Sequence, residues 1–364
     1  MKIGILGTRG IPNNYGGFEQ FAEYLSQGLV ELGCEVYVYN SHNHPYQEEV
    51  WEGVHMIHKY DPEYKYGTIG QFMYDLNCIK DSRKRDFDII LQLGYTSSSI
   101  WGRWLPLESV VITNMDGIEY SRKKYNWAVK KFLKYAENLA VKHSHRLIAD
   151  SVIIKKYLED RYESVPVFIP YGADEFKDPD PSYLEHYGVE PVKFFLLIAR
   201  LQPDNNIEPI IRGILHSKTS HPLLIIGNYR NAFGTYLYRK YSSDTIRFVG
   251  SEYDITTLNN LRYYSSLYFH GHSAGGTNPS LLEAMASSAL ICAHDNPFNR
   301  SVLGKNAFYL NSEDDIEKLI NRNPSRDIFE RFIEDNLLLI KDKYDKKQII
   351  KDYYTLFCDE LGIQ

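Results

Sequence analysis

The chain begins with a short apolar run, Ile3 to Leu6, that passes directly into a glycine-bearing loop, Gly7-Thr8-Arg9-Gly10-Ile11-Pro12. After that loop, Phe18, Phe21, Ala22, Leu25 and Leu29 keep helical spacing, Gly33 stops the run, and Val36 to Tyr39 reads as a second strand. A strand, a glycine loop, a helix and a strand in that order open a doubly wound parallel sheet, because a parallel pair needs a crossover and a helix supplies it. The unit recurs at Asp88 to Leu93, Val110 to Thr113, Arg146 to Asp150 and Val167 to Pro170. A second set follows at Phe194 to Ile198, Leu223 to Ile226, Ile246 to Val249, Leu267 to Phe269 and Leu290 to Ala293.

At 364 residues the chain exceeds what one core usually supports, so two α/β domains are expected. The polar, proline-bearing stretch Asp174 to Pro181 has linker chemistry and sets the boundary near Gly172. The expected division is 1–171, 172–345 and a terminal segment 346–364. The stretch after Lys341 reads as one last amphipathic helix, able to cross back to the first domain.

A net charge of −6 argues against nucleic acid as the main partner, since neutralising phosphates needs a basic surface. The four cysteines, Cys34, Cys78, Cys292 and Cys358, form no CxxC pair and read as reduced thiols. Met1-Lys2 leads straight into a strand rather than a signal peptide, and no apolar stretch reaches bilayer-spanning length, so a cytoplasmic location is expected. Ser121 to Arg146 carries eight Lys or Arg against one Glu, interleaved with apolar residues. It reads either as a packed helix with a solvated basic face or as a helix lying on an anionic bilayer.

Four segments could carry chemistry. Gly7-Thr8-Arg9-Gly10 with Tyr15-Gly16-Gly17 could bring backbone amides close to an acceptor or a phosphate, or could simply be a tight turn. The second strand ends in Asn40-Ser41-His42, without the acidic residue that holds an NAD ribose, so dinucleotide binding is disfavoured. In His272 to Ala286, Thr277 or Asn278 suits an N-cap and Pro279 the first helical position. Ahead of that helix, Gly275 and Gly276 expose amides for a diphosphate, while Glu283 either complements the dipole or accepts from ribose hydroxyls. Arg200 follows a strand end, where ligands bind, and offers a fork for the diphosphate; a surface salt bridge is the plainer alternative. At the end of another strand, Asn114, Asp116 and Glu119 could meet an acceptor hydroxyl, with Asp116 also readable as an Asp-Gly turn residue. Two DxD matches, Asp86-Phe87-Asp88 and Asp178-Pro179-Asp180, lie before a strand and in the linker, and read as solvated carboxylates rather than a metal site.

Together these motifs resemble glycosyltransferase family 4, and within it the bacterial rhamnosyltransferase-like enzymes of surface-polysaccharide synthesis. The resemblance rests on Gly7 to Pro12 with Tyr15 to Glu19, Asn114 to Gly117, Ala199 to Asn206, and His272 to Ala286, in order along nearly the whole chain. It departs where Gly275 replaces the family's first Glu, Asn205 its Lys, and Met115 about where its first-domain histidine falls. The resemblance implies a GT-B fold, two Rossmann-like domains facing a cleft, and sugar transfer from a nucleoside diphosphate with retention, without metal or cofactor. The implied donor is dTDP-rhamnose, and the implied acceptor is a polyprenyl-linked saccharide or oligosaccharide at the inner membrane face. Donor contacts then fall on Arg200, Asn205, Gly275, Gly276, Thr277, Asn278 and Glu283 in the second domain. Acceptor contacts fall on Tyr15, Gly16, Gly17 and Asn114 in the first, with Asp116, Glu119 and His272 nearest the reaction. The alternatives are a nucleotide-sugar epimerase of the same architecture and a non-catalytic nucleotide-sugar-binding subunit.

Overall fold

The computed structural model describes residues 1–122 and 124–363. The chain divides into two compact units, Met1–Tyr171 joined by the segment from Lys346 onward, and Gly172–Asp345.

The first domain holds an eight-stranded sheet: β1 (Lys2–Leu6), β2 (Glu35–Ser41), β3 (Val50–Trp51), β4 (Val54–Lys59), β5 (Ile89–Leu93), β6 (Val110–Asn114), β7 (Arg146–Ala149) and β8 (Val167–Phe168). Its order is β3-β4-β2-β1-β5-β6-β7-β8, parallel except for the antiparallel β3–β4 edge. The second domain holds β9 (Phe195–Ile198), β10 (Leu223–Ile226), β11 (Ile246–Gly250), β12 (Leu267–His270), β13 (Ile291–His294) and β14 (Phe308–Leu310), ordered β11-β10-β9-β12-β13-β14 and parallel throughout. The apolar runs read from the sequence are these strands. The β3–β4 hairpin and β14 were not anticipated: Val54–Lys59 mixes His and Lys with apolar residues without regular alternation, and β14 is only Phe308–Leu310.

In each sheet the order reverses beside one strand, β1 in the first domain and β9 in the second. Connections leave such a strand to opposite sides, which opens a crevice at its carboxyl end. The sequence segments with candidate chemistry follow β1, β6, β9 and β12.

Two helix expectations change. The basic segment 121–146 is not one helix: a 3-10 turn at Glu119–Ser121 precedes it, and the helix runs Trp127–His143. Asn126 fixes its start by accepting the Val129 amide at 3.0 Å. The chain after Lys341 is likewise not one helix. Glu330–Lys343 ends at Tyr344, and a separate terminal helix spans Lys346–Leu361. That terminal helix packs on the first domain's opening helix, Gly17–Glu31, with Tyr353 and Phe357 buried. The approach is close because residue 28 is glycine: a Cβ there would lie 2.5 Å from Ile350.

Candidate functional sites in the two domains

In the first domain, the loop after β1 is held from inside. Gly7 has φ +97°, and a Cβ there would sit 2.2 Å from the Leu93 carbonyl oxygen, so only glycine fits. Fully buried Asn40 accepts the Ile11 amide at 3.2 Å and donates to the Ile11 carbonyl at 2.8 Å. The amide near the end of β2, at Asn40, therefore has a structural role. The Arg9 guanidinium binds both oxygens of Glu63, at 2.9 and 2.7 Å, and lies 4.9 Å from the Tyr15 ring. Its charge is spent on shaping the loop. Tyr15 is exposed, Gly16 is extended, and no side chain caps the helix Gly17–Glu31 that follows. The expected acceptor segment thus presents an open helix start.

A second cluster lies at the carboxyl ends of β6 and β7. Asn114, fully buried, donates to the Tyr353 hydroxyl at 3.2 Å, and its Oδ1 has no hydrogen-bond partner among the described residues. Asp116 accepts from the Tyr171 hydroxyl at 3.0 Å and shares a hydrogen bond with buried Asp150. Burial first, and then the Glu119 charge, push the Asp116 carboxyl up to about 6; Arg122 and the hydrogen bonds from Tyr171 and Asp150 pull the other way. Two adjacent carboxyls in low dielectric favour holding one proton between them. Glu119 plays a different part: Arg122 grips both its oxygens at 2.7 to 2.9 Å. Sequence reasoning missed Asp150, Tyr171 and Tyr353. Asp150 carried a signal, as the polar residue closing an apolar run, whereas Tyr353 arrives through chain topology that no local pattern encodes.

In the second domain, the loops after β9 and β12 are laced together. Asn205 donates to the Arg200 carbonyl at 2.7 Å, and Asn206 donates to the Gly271 carbonyl at 2.8 Å. The Ser273 hydroxyl donates to the Asp204 carbonyl at 2.7 Å. Asn205, expected to meet the donor, thus spends its amide on the loop. Arg200 is exposed and forms no ion pair or hydrogen bond through its side chain among the described residues. Both carboxylate oxygens of buried Asp204 lack a hydrogen-bond partner there as well.

His270 ends β12 with its ring fully buried and stacked on His272, centroids 4.4 Å apart. Burial, then the neighbouring His272 and Arg262, hold the His270 ring well below the usual histidine range, so it stays neutral. The His272 carbonyl is fixed by the amides of Asn296 and Asn299, at 3.0 and 3.2 Å. Beyond it, Gly275 has φ +128° with open space where a Cβ would be, and Thr277 is buried.

Asn278 caps the helix Pro279–Ala286, its side chain taking the Ser280 amide at 3.0 Å. The Asn278 carbonyl takes the amides of Leu281 and Leu282, and Pro279 has none. The first-turn amides of this helix are therefore consumed internally, and donors for an anion must come from the preceding loop. There the Gly275 and Gly276 amides make no internal hydrogen bond among the described residues. Glu283 pairs with Arg262, whose side chain is buried and also donates to Asn259 at 2.8 Å. A ribose contact by Glu283 would have to share the carboxylate with that guanidinium.

A pocket of about 300 Å³ adjoins the ends of β10 and β11, lined by Asn228, Tyr229, Arg230, Val249, Gly250 and Ser251. Sequence reasoning overlooked it, although Gly227 and Gly250 each close an apolar run in the manner of the other strand-end loops. Among the described residues no group of three or more His, Cys, Asp or Glu is gathered as a metal site. Of the DxD residues, Asp88 accepts the Lys2 amide at 2.6 Å and Asp180 caps the Ser182 amide at 2.9 Å. No helix among the described residues is long and apolar enough to cross a membrane.

Two parallel α/β domains, each with ligand-type loops at the strand ends of its reversal point, define the GT-B class of fold. A family model described as a domain of unknown function, DUF1972, matches residues 1–174. No curated protein matches the chain. Among solved structures, sucrose-phosphate synthase from Thermosynechococcus elongatus superimposes with TM-score 0.82 at 14% identity, covering 99% of both chains. HepE of Anabaena, in complex with UDP and glucose, gives TM-score 0.73 at 14% identity over 99% of this chain and 100% of that one. A glycosyltransferase from Rickettsia africae gives 0.71 at 14% identity over 100% and 99%.

Proposed function

We propose that the chain is a retaining, metal-independent glycosyltransferase that moves a sugar from a nucleoside-diphosphate donor to a hydroxyl acceptor. The observation that carries this reading is the pairing, in the second domain, of an exposed Arg200 without an ion pair and the open Gly275–Gly276 amides. These are the groups a diphosphate needs as negative charge builds on departure of the sugar. Arg200 and the amides grip the diphosphate, and the pocket at Asn228–Arg230 and Val249–Ser251 takes the base. Thr277, Asn278 and Asn205 shape the loops, while Glu283, shared with Arg262, meets the ribose. His272, with Asp204 nearby, faces the sugar. In the first domain Asp116 orients the acceptor hydroxyl, Asp150 and Tyr171 support it, and Tyr15, Gly16, Gly17 and Asn114 line the acceptor path. The acceptor oxygen bonds to the anomeric carbon on the face from which the phosphate departs, as the bond to that phosphate breaks, so no enzymic nucleophile is used; the hydroxyl proton passes by way of Asp116 to the leaving phosphate.

The solved structures of HepE, with UDP and glucose, support a nucleotide-sugar donor. The rhamnosyltransferase-like run Gly275 to Ser280 supports a dTDP-linked deoxyhexose, L-rhamnose, and a polyprenyl-linked saccharide acceptor at the cytoplasmic face of the membrane. Calorimetry with dTDP and UDP tests the core of the proposal: micromolar uptake by wild type and loss of it in Arg200→Ala is the expected result. Folded protein that takes up neither nucleotide sinks it. Product analysis with donor alone separates transfer from epimerisation.

A further inference from the structure

The first domain carries a face built from three separate segments: the helix Thr68–Ser82, the 3-10 turn Ser99–Trp104 and the basic helix Trp127–His143. They are fastened beneath. The Phe72 and Phe132 rings lie 5.6 Å apart, and the Trp101 indole donates to the Phe72 carbonyl at 2.9 Å. A Cβ on Gly102 would sit 2.6 Å from the His143 ring, so glycine allows the turn to dock on the helix.

Each segment leaves large apolar side chains in water. Ile69 is 70% exposed, Leu107, just past the turn, 85%, and Trp127 78%, with Met73, Trp104 and Tyr135 also exposed. Cations stand among them: Lys131 and Lys142 on the outer side of the basic helix, Arg103 on the turn, and Lys80, 5.0 Å over the Trp104 ring. The helix has a single acid, Glu137, which is buried and taken by the hydroxyls of Tyr157 and Tyr162 at 2.7 and 2.6 Å. The exposed side of that helix therefore bears no negative charge; beside Leu107, Glu108 is an exposed acid.

A merely solvated basic face would not need Ile69, Leu107 and Trp127 in water on segments that pack on one another, and apolar surface rimmed by polar residues marks an interaction site. A polyanion such as RNA is opposed by the net charge of −6. Apolar tips set among lysines match the boundary between headgroups and acyl chains, where lysines reach outward to lipid phosphates. We propose that this face docks the protein on an anionic lipid bilayer, Ile69, Trp104, Leu107 and Trp127 entering the interface and the lysines pairing with headgroups. The surface is wider than the basic segment recognised in the sequence, because two of its three parts lie outside 121–146. It stands independently of the transferase reading: vesicle binding and nucleotide uptake are separate measurements, and either can fail alone.

The test is co-sedimentation of the full chain with phosphatidylcholine vesicles, with and without phosphatidylglycerol. Binding is expected only with the anionic lipid and should fall as salt rises. Lys131→Gln with Lys142→Gln should weaken it about thirtyfold, from about 1 kcal/mol per basic residue near the surface. Ile69→Ser with Trp104→Ser, off the basic helix, should weaken it at least about tenfold. Ile69, Leu107 and the lysines are largely exposed, so their variants should keep the wild-type melting temperature; Trp104, 43% exposed and 6.1 Å from the Trp101 ring, is checked by Leu107→Ser, a variant outside any helix that should also weaken binding. The proposal is overturned if wild type ignores anionic vesicles, binds both compositions equally, or takes up an RNA oligonucleotide instead. Wild-type binding by the Ile69→Ser, Trp104→Ser pair also overturns it.

Discussion

The two domains share an architecture but treat their polar groups in opposite ways. In the first, the strand-end residues partner one another: Asp116 with Tyr171 and Asp150, Glu119 with Arg122, Arg9 with Glu63. In the second, the strand-end loops are laced by backbone contacts, while Arg200 and the Gly275 and Gly276 amides are left open. A hydroxyl is neutral and needs orientation, which a preassembled carboxyl cluster can give. A diphosphate brings charge and needs donors with no other commitment. The contrast makes the first domain a positioning surface and the second an anion receiver under the proposed function.

The sharpest way to break this contrast is to change the proton inventory of the first cluster. Asp116→Asn should lower kcat/KM for sugar transfer on the order of a thousandfold, with nucleotide affinity unchanged by calorimetry. In wild type the rate should rise with pH through about 6, the value to which burial lifts Asp116, because the ionised form accepts the acceptor hydroxyl. The stability effect has the opposite sign. A carboxyl raised in the folded state stabilises fully below its ordinary range near 4 and loses that contribution as pH passes about 6. Asp116→Asn should therefore gain in melting temperature over wild type at pH 8 and lose that advantage by pH 4. A flat wild-type rate profile between pH 5 and 8 would remove Asp116 from the reaction.

Next in size, Arg200→Ala should reduce kcat by about 10²–10³-fold, the usual cost of one donor to developing charge. Because Arg200 supports no other side chain among the described residues, its melting temperature should stay at the wild-type value. A stability loss with full turnover would turn it into a structural residue and erase the contrast.

How far the sequence could be read follows the same division. Short apolar runs ending in glycine or polar loops revealed most strands, because a buried parallel strand and its loop are local signals: Ile3 to Leu6 with Gly7, and Leu223 to Ile226 with Gly227. Arg200 and Gly275 were legible for the same reason, standing where a strand-end loop must be polar and permissive. What was hidden depends on partners distant in sequence. Nothing near Glu283 announces Arg262, 21 residues upstream, and nothing near Asn114 announces Tyr353, 239 residues away. The helix start at Pro279 was read correctly, but not that Asn278 would consume its amides, since whether a cap closes or leaves donors open is a matter of backbone geometry.

That hidden partner supplies the third prediction. Arg262 is fully buried, and its removal takes from the largely buried Glu283 carboxylate the cation that neutralises it. Arg262→Met should destabilise the second domain by about 3 kcal/mol, within the range for breaking one side of a buried pair. Chemical denaturation should show it as a lower midpoint. Pairing it with Glu283→Gln should restore part of the loss, since no uncompensated charge remains. If the single variant is as stable as wild type, the Glu283–Arg262 pair does not hold the second domain together.

The smallest effect tests the openness of the anion loop itself. Gly275 has φ +128°, which a side chain adopts only under strain, yet no atom lies within 4 Å of where its Cβ would be. Gly275→Ala therefore meets no clash, and its cost is conformational, about 1–3 kcal/mol. In a half-buried loop with open space at the Cβ position that strain is relieved by rotating the peptide, which turns the Gly275 and Gly276 amides away from a shared target. Donor KM should rise roughly tenfold, at about 1.4 kcal/mol per factor of ten, while global stability changes little. Asn114→Ala in the first domain is the control, because its amide partners Tyr353 and should alter stability rather than donor KM. Should Gly275→Ala leave donor KM untouched, those amides do not grip the diphosphate, and the second domain's openness has some other purpose.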